Sequence, residues 1–433
     1  MIRLLNDTTS LLSYDKRFII LKGNIKDSKE EYYIVYNSVR HTAMRLTKIE
    51  FSLLELLYKY EDIEFIVSKF ETKNKSLVSN ALSKLVSTKL LSLEVEVPTI
   101  NTQNEKLVPS TYYLHLTDKC NLNCTYCYNK KQRINYNDLP IDKWKKIVDK
   151  ISPFAKSITL TGGECLLYHD FSEILDYIRF INPKLHIACI SNGMHDFEQL
   201  AKKCKFEQLN HIMFSCDSIS KVGNRIGFIP KKFKTSVEFI KNNYPSVSVE
   251  ISTTLTAYND NDLSEIRTYC NSLNCYAKFI NLVPEQLSDI EDMPRLQSCL
   301  DAIETIPPNN SELRPLPVRG SRCGASRTVC SIDSQGYVYP CQALHYKEFL
   351  MGNILDTELV NLRYIKDDKW CLPDVDELEG CSECEIRYIC GGGCLAVTYA
   401  ANNRMFKRSR LMCPFNYNVA ISHLINIKTS STN

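Results

Sequence analysis

Apolar runs of strand length alternate with amphipathic stretches of helical length between residues 111 and 283. The strand-like runs lie at 112–116, 157–161, 185–191, 211–215, 247–255 and 277–283. Between them, apolar residues recur at helical spacing over 141–151, 170–181, 197–204, 230–242 and 262–273. Strands that alternate with helices are typical of a parallel sheet with helical crossovers. The pattern therefore predicts an α/β fold built on a partial (β/α)6 TIM barrel.

The first 97 residues follow a different pattern, with short strand-like runs at 18–21 and 32–36. Thr47 and Glu50 have capping-box spacing and predict the start of an apolar helix. Two more helices are predicted over 62–70 and 76–89, and 90–97 has the pattern of a returning strand. These elements predict a small winged-helix-like domain. The chain then divides into this domain at 1–97, a polar linker at 98–110, the barrel at 111–315 and a cysteine-rich domain at 316–433.

Composition narrows the class of protein. The chain has 19 cysteines among 433 residues, and its polar start and short apolar runs predict neither a signal peptide nor a membrane segment. We therefore expect a cytoplasmic protein whose cysteines bind metal ions or clusters. The net charge of +3 indicates no nucleic-acid partner. Residues 1–97 carry 15 Lys and Arg against 13 Asp and Glu, which is not the basic surface of a DNA-binding domain.

Three cysteines directly follow the first predicted barrel strand. Cys120, Cys124 and Cys127 have CxxxCxxC spacing, and three thiolates can hold three irons of a cubane cluster while the fourth iron stays open to a substrate. A partial zinc site is the alternative. Gly162-Gly163-Glu164 and Ser191-Asn192-Gly193 come at the ends of the next two strands, although the first of these could simply be a tight turn. Because chemistry in such barrels lies at the carboxyl ends of the strands, we expect the three motifs to converge on one face.

This combination resembles the radical S-adenosylmethionine (radical SAM) superfamily over residues 112–283. The resemblance implies that Cys120, Cys124 and Cys127 hold a [4Fe-4S] cluster whose open iron binds the amino and carboxylate groups of SAM. It also implies a cofactor contact for Tyr126 beside the last cysteine, and contacts around the methionine amino group for Gly162, Gly163 and Glu164. Near the ribose or carboxylate it implies contacts for Ser191, Ser215 and Asp217, and at the SAM carboxylate a contact for Arg225. Cys165 departs from the family pattern, which has a small residue or proline there.

Eight cysteines in the last third form a second motif: Cys323, Cys330, Cys341, Cys381, Cys384, Cys390, Cys394 and Cys413. The Gly-x4-Cys spacing that ends at Cys341 predicts a hairpin turn returning into a strand. The array resembles the SPASM domain, the auxiliary-cluster extension of radical SAM enzymes that act on peptides and proteins, over 316–421. That resemblance assigns Cys323, Cys330, Cys341 and Cys394 to one auxiliary [4Fe-4S] cluster and Cys381, Cys384, Cys390 and Cys413 to another.

Other uses of the cysteines stay open. The eight thiols could instead hold two zinc ions, and Cys371 lies close enough in the chain to be an alternative ligand. The remaining cysteines are expected to be small buried apolar residues: Cys165, Cys189, Cys204, Cys216, Cys270, Cys275 and Cys299.

Residues 1–97 resemble the PqqD-like leader-recognition domain of enzymes that mature ribosomally made peptides. The resemblance rests on the strand at 32–36, the turn at 36–38 and the helices over 47–89. An extended peptide can add to an exposed strand edge of such a domain. Together, the resemblances imply a radical SAM maturase with SAM and three [4Fe-4S] clusters, which binds a precursor peptide by its leader. They further imply an oxidative crosslink, with a thioether favoured over a carbon–carbon bond, and a flavodoxin- or ferredoxin-type electron donor.

Three other functions are alternatives. Formylglycine formation uses the same architecture, but that family has an Asp where this chain has Gln342 and needs no leader domain. A non-enzymatic iron–sulfur redox sensor would use residues 1–97 to bind DNA. A zinc-stabilised interaction protein would contain no cluster. Cleavage of SAM distinguishes an enzyme from the other two.

Overall fold

The computed structural model describes residues 10–12, 18–24, 31–37, 42–60, 108–130, 137–220, 223–259, 262–283 and 323–362, together with single residues or short stretches between 68 and 83 and between 375 and 417. Among these residues, no helix has the length and apolar character needed to cross a membrane.

The amino-terminal residues form a four-stranded antiparallel sheet followed by a helix. Its strands are β1 (Ser10–Leu12), β2 (Phe18–Asn24), β3 (Glu31–Asn37) and β4 (Thr42–Thr47), paired in that order. The helix Lys48–Tyr60 begins with the predicted capping box. The Thr47 amide donates to Glu50 Oε2 at 2.8 Å, and the Glu50 amide donates to Thr47 Oγ1 at 3.3 Å. This exchange satisfies two backbone donors that the first helical turn leaves without partners.

The strand predicted at 32–36 is not an edge strand. It lies within β3, which pairs with β2 on one side and β4 on the other, so it is an interior strand of this sheet. Among the described strands, β4 has its second edge unpaired. The helices predicted at 62–70 and 76–89 are represented by helical residues at 68, 76, 78–81 and 83. The strand at 90–97 and the linker up to 107 lie outside the described residues, so a winged-helix arrangement stays a prediction.

Six parallel strands form the predicted barrel sheet. They are β5 (Thr111–His115), β7 (Ser157–Thr161), β8 (His186–Ser191), β9 (His211–Ser215), β11 (Ser248–Leu255) and β12 (Tyr276–Asn281), adjacent in chain order. The helices between them are Ile141–Ile151, Phe171–Ile181, Phe197–Ala201, Pro230–Asn243 and Leu263–Ser272. A mostly parallel α/β sheet is thereby confirmed. The third helix ends three residues early because the Lys203 amide bonds three residues back to the Leu200 carbonyl, which tightens the last turn.

The barrel strands alternate between an apolar face and a polar face, as strand geometry requires. Ile158 and Leu160 of β7 are fully buried in one core with Trp144 of the first crossover helix. Thr159 and Thr161 point to the opposite face and are also buried. The packed side therefore holds the sheet to its helices, while the other side provides polar groups for a site.

The cysteine-rich region continues the same sheet. β13 (Val329–Ile332) pairs in parallel with β5, β14 (Tyr337–Tyr339) pairs antiparallel with β13, and β15 (Gly352–Asn353) pairs antiparallel with β14. Gly336 has φ +82° in the turn before β14, so the predicted hairpin is confirmed. The resulting sheet has nine strands. Two short helices, Arg387–Cys390 and Leu395–Asn402, lie further along the chain.

Candidate cluster and cofactor site

The CxxxCxxC loop is fixed by a small antiparallel ribbon. β6 (Asn123–Cys124) pairs with β10 (Arg225–Ile226), which places Cys124 opposite Arg225. The Thr125 amide also donates to the Asn224 carbonyl at 3.0 Å. Cys124 is buried, whereas Cys120 and Cys127 are half-buried. Burial raises the pKa of the Cys124 thiol and Arg225 opposes that rise, while Cys127, Asp217 and Cys120 add to it.

Gly162 and Gly163 pack directly on the start of this loop. The Gly163 amide donates to the Thr117 carbonyl and the Glu164 amide to the Lys119 carbonyl, both at 2.8 Å. A Cβ on Gly162 would lie 2.4 Å from the Thr117 carbonyl oxygen, and one on Gly163 would lie 2.2 Å from that of Lys119. Glycine is needed here because the two backbones touch. The double glycine therefore positions the cysteine loop.

Glu164 is 2% exposed and its carboxylate is occupied by the protein. The Asn192 amide donates to Oε2 at 2.7 Å and the Leu166 amide to Oε1 at 3.4 Å. His195 Nε2 also lies 3.4 Å from Oε1. Glu164 thus joins the loop after β7 to the loop after β8, and a contact with the SAM amino group stays a prediction.

The loop after β8 also reaches the cysteine loop through Asn192, a member of the motif that was expected to converge on this face. Asn192 Nδ2 donates to Asn121 Oδ1 at 2.7 Å and lies 3.9 Å from Cys120 Sγ. Asn121 Nδ2 in turn donates to the Met194 carbonyl at 3.0 Å. The position of Asn192 directly after a barrel strand is the sequence signal that indicates a residue of the site. Ser191, which was predicted, is buried and accepts from the Gly193 amide of its own turn at 3.1 Å.

Tyr126, Asp217 and Arg225 form one group beside Cys124, in which Asp217 and Arg225 are buried and Tyr126 is half-buried. Arg225 Nε lies 3.0 Å from Asp217 Oδ2, and Nη2 donates to Oδ1 at 3.2 Å. The Tyr126 hydroxyl donates to the same carboxylate, and the Arg225 guanidinium lies 5.6 Å from the centre of the Tyr126 ring. Burial raises the pKa of Tyr126 well above its ordinary value. Ser215 ends β9, two residues before Asp217, and is half-buried.

Cys165 lies away from the cysteine loop, in a fully buried position. Its Sγ is 3.4 Å from Cys189 Sγ and 3.2 Å from the Ile190 carbonyl oxygen, and burial raises its pKa well above the ordinary value. Among the other cysteines expected to be structural, Cys204, Cys216 and Cys270 are buried and Cys275 is half-buried, whereas Cys299 is outside the described residues. These thiols behave as small core residues.

Two histidines meet where the barrel joins the cysteine-rich region. The rings of His115 and His345 are 4.6 Å apart, and the Tyr339 ring stacks on His345 at 4.4 Å. His345 Nε2 lies 2.7 Å from Ser331 Oγ. Asn129 Nδ2 lies 3.1 Å from His115 Nδ1. Burial lowers the pKa of His115 to about 3, so this ring is neutral at physiological pH.

In the cysteine-rich region, Cys323 and Cys341 pack against the same buried hydrophobic cluster. Burial raises the pKa of the Cys341 thiol to about 12, and Cys394 and Cys323 both contribute to that rise. Cys341 likewise raises the pKa of Cys330. Separately, the Cys384 amide donates to the Cys381 carbonyl at 2.8 Å, Cys390 ends the helix Arg387–Cys390, and Cys413 is half-buried. Cys371 lies outside the described residues.

The thiols of the cysteine loop suit an iron–sulfur cluster better than a single metal ion. In the described part of the chain, no three His, Cys, Asp or Glu side chains converge on the position of a single metal ion. An iron–sulfur cubane instead takes one thiolate on each of several irons. Three cysteines on one loop, which glycines, Glu164 and Asn192 hold in place, are the donors that such a group requires.

Comparison with known families identifies the barrel. Residues 114–270 match the Radical SAM superfamily model. Residues 114–270 form a radical SAM domain. Proteins of this superfamily bind a [4Fe-4S] cluster and SAM, and the match of this domain shows that the chain is an enzyme.

The chain is similar to several known proteins. It is 25% identical over 305 residues to mycofactocin maturase MftC of Mycolicibacterium smegmatis, covering 66% of this chain and 77% of the relative. It is also 27% identical over 187 residues to a probable GTP 3',8-cyclase of Methanococcus maripaludis, covering 40% and 59% of the two chains.

Solved structures show the same fold. Native anSMEcpe with bound AdoMet superimposes with a TM-score of 0.59 at 18% identity, covering 73% of this chain and 98% of that one. Streptococcus suis SuiB bound to S-adenosylmethionine gives 0.54 at 16% identity, covering 95% and 99%. SuiB bound to its precursor peptide SuiA gives 0.55 at 16% identity, covering 88% and 96%.

Proposed function

We propose that this chain is a radical SAM maturase of a ribosomally synthesised precursor peptide. It would bind the peptide through a leader sequence and install an oxidative crosslink in the remainder, a thioether in the first instance and a carbon–carbon bond in the second. The observation that carries the proposal is the nine-stranded sheet, in which β13, the strand of Cys330, adjoins β5, the strand that leads into the CxxxCxxC loop. The similarity to mycofactocin maturase supports a peptide as substrate.

Cys120, Cys124 and Cys127 would hold the SAM-binding [4Fe-4S] cluster. When bound, the cluster and SAM supply a 5'-deoxyadenosyl radical that removes a hydrogen atom from an unactivated carbon. The protein's own residues position this chemistry. Gly162 and Gly163 position the cysteine loop against the barrel through their backbone contacts. They would therefore contribute to SAM binding chiefly by holding that loop in place.

Contacts to SAM are proposed for the polar residues predicted from the family. Glu164, Ser191, Ser215 and Asp217 follow the ends of barrel strands or end one, where the cofactor would lie. In Glu164 and Ser191 the polar atoms already accept backbone amides. We therefore infer that these two act mainly by shaping the loops, while Ser215 is placed for direct contact.

Two auxiliary [4Fe-4S] clusters are proposed for the cysteine-rich region. Cys323 and Cys341 pack against the same buried hydrophobic cluster. Burial raises the pKa values of Cys323, Cys341 and Cys330, Cys394 adds to the first two and Cys341 adds to the third, which supports the interleaved set of four. Cys381, Cys384, Cys390 and Cys413 would hold the second auxiliary cluster. A substrate radical that forms a new bond must lose an electron, and these clusters would accept it. A flavodoxin- or ferredoxin-type protein would supply electrons to the enzyme.

The leader would bind to the amino-terminal sheet at β4. β3 has partners on both sides, whereas β4 is an edge strand among the described residues. An extended peptide can pair with such an edge through its main chain. The alignment with SuiB covers 95% of this chain and so includes most of residues 1–97. The alternatives of formylglycine formation and a DNA-binding redox sensor are not favoured by these observations.

The proposed clusters can be tested by counting iron. Anaerobically reconstituted protein is expected to bind about 12 iron atoms and about 12 sulfide ions, as three cubanes require. Replacement of Cys120, Cys124 and Cys127 by Ala should remove about four of each and abolish 5'-deoxyadenosine formation from SAM. Continued SAM cleavage by that variant would refute the site assignment, and colourless protein with bound zinc would refute the clusters.

The proposed substrate class is tested by mass spectrometry. The enzyme is incubated anaerobically with SAM, a reductant and the cysteine-containing peptide encoded nearest its gene. Loss of two hydrogens, about 2 Da for each crosslink, together with 5'-deoxyadenosine would support a peptide maturase, and fragmentation would distinguish a thioether from a carbon–carbon bond. The same peptide without its leader should react far more slowly. An unmodified peptide despite SAM cleavage would remove the substrate claim and keep the radical chemistry.

A further inference from the structure

A buried arginine lies against the sulfur of the middle motif cysteine. Arg225 is 8% exposed, and the β6–β10 register places it directly opposite Cys124. Its Nη1 lies 3.9 Å from Cys124 Sγ, within reach of a hydrogen bond to sulfur. Backbone pairing therefore holds the Arg225 backbone beside Cys124.

The other edge of the guanidinium is already occupied. Asp217 is 4% exposed and faces both Nε and Nη2 of Arg225, at 3.0 and 3.2 Å. It also accepts from the Thr254 amide at 3.2 Å and from the Tyr126 hydroxyl. A planar guanidinium binds a carboxylate through one edge at a time. The edge that remains faces the sulfur, which differs from the expectation that Arg225 pairs with the SAM carboxylate.

We infer that Arg225 is a positioning residue that tunes the electron affinity of the SAM-binding cluster through Cys124, with Asp217 as its counterweight. The inference rests on the proposed assignment of Cys120, Cys124 and Cys127 to that cluster. Hydrogen bonds and positive charge near a ligating sulfur favour the more negative, reduced state. Asp217 carries the opposite charge, so the net effect depends on Arg225 being nearer to the sulfur.

The redox potential of the cluster is therefore expected to shift in opposite directions when the charge of Arg225 and the charge of Asp217 are removed one at a time. The measurement is a redox titration of the reconstituted enzyme without SAM, followed by the electron paramagnetic resonance signal of the reduced cluster. The signal of the triple Cys-to-Ala variant is subtracted to remove the auxiliary clusters. In Arg225→Met, the reduced-to-oxidised ratio at a fixed potential should fall about tenfold, or about 59 mV for one electron. In Asp217→Asn the ratio should rise, and in Arg225→Lys it should lie between that of Arg225→Met and that of the parent.

Arg179 provides a matched control. Its guanidinium binds backbone carbonyls of Pro183 and Leu185, before the amino end of β8, so Arg179→Met removes the same charge at the opposite end of the strands. That variant should leave the potential unchanged. If Arg225→Met cannot assemble the cluster, the Arg225→Lys and Asp217→Asn variants still test the sign.

Two results would overturn the inference. One is a shift of the same sign, or no shift, in the Arg225 and Asp217 variants at full iron content. The other is an unchanged potential in Arg225→Lys combined with at least tenfold weaker SAM binding, which would assign Arg225 to the SAM carboxylate. If the triple Cys-to-Ala variant keeps all its iron, the proposed function fails instead, so the two failures are distinguishable.

Discussion

Replacement of Gly163 by alanine is expected to displace the cysteine loop from the barrel. The new Cβ would lie 2.2 Å from the Lys119 carbonyl oxygen and 2.7 Å from that of Asp118. Both neighbours are backbone atoms, so no side chain can rotate away. The two segments must separate by roughly 1 Å to reach ordinary contact distance.

The cost can be worked out from the contacts that separation would break. The bonds from the Gly163 amide to Thr117 and from the Glu164 amide to Lys119, both 2.8 Å, hold the two backbones together. Each contributes about 1 kcal/mol, and overpacking a tight contact costs about 1–3 kcal/mol more. A total of about 3–5 kcal/mol corresponds to a fall in melting temperature of roughly 10 °C for a domain of this size.

The assay measures iron content and melting temperature after anaerobic reconstitution. Gly163→Ala should lose about four iron atoms, those of the motif cluster, while the auxiliary clusters remain. Gly223→Ala is the matched control because Gly223 has φ +56° and no heavy atom within 4 Å of its added Cβ. It should cost only about 1–2 kcal/mol of backbone strain and keep its iron. Full iron content and an unchanged melting temperature in Gly163→Ala would refute the proposed role of this contact.

Three further changes test other parts of the structure. Burial raises the pKa of Asp333 to about 6, so the native state favours the protonated acid, and that stabilisation is lost as the pH rises through about 6. Asp333 Oδ1 accepts two backbone amide hydrogen bonds, which the side-chain oxygen of an Asn could also accept. Asp333→Asn should accordingly increase the free energy of unfolding at pH 7.5 by up to about 3 kcal/mol, seen as a higher melting temperature, and should have no such effect at pH 4. An equal effect at pH 7.5 and pH 4 would contradict the raised pKa of Asp333. Thr47→Ala removes one bond of the capping box and should destabilise the amino-terminal unit by about 1 kcal/mol, measured by hydrogen exchange in the helix Lys48–Tyr60, with no change expected in the barrel. Lys150 Nζ donates to two backbone carbonyls just after β15, both at 2.9 Å. Lys150→Met should therefore lower the free energy of unfolding by about 2 kcal/mol. Lys146 is exposed on the same helix, and Lys146→Met should leave the melting temperature unchanged.

Local patterns predicted the barrel elements well. The strands at 157–161 and 211–215 and the helix at 141–151 have the predicted bounds, because each pairs a clear apolar period with a distinct start or stop. The amino-terminal unit was predicted less completely, since β1 and β4 are short or polar and offer little periodicity.

Contacts between distant segments could not be predicted from such patterns. Nothing in residues 329–332 specifies that they pair with β5 rather than with a strand of their own domain. In the site, chain position after a strand predicted that Glu164 would approach the cysteine loop, and the family resemblance implied a cofactor contact for Arg225, but neither predicted the partners of these residues. Those partners depend on the register of β6 with β10 and on the approach of the loop after β8.

The pairing of β13 with β5 affects how the chain can be divided. Removal of residues 316–433 would leave β5 with a row of unpaired amide and carbonyl groups along Thr111–His115. Such an exposed, flat edge favours aggregation. A truncated barrel would then fail for want of a neighbouring strand, and its inactivity would carry no information about the clusters. Point substitutions of single cysteines are the sounder way to separate the contributions of the two regions, and any attempt to graft the cysteine-rich region onto another barrel must carry its strand partner with it.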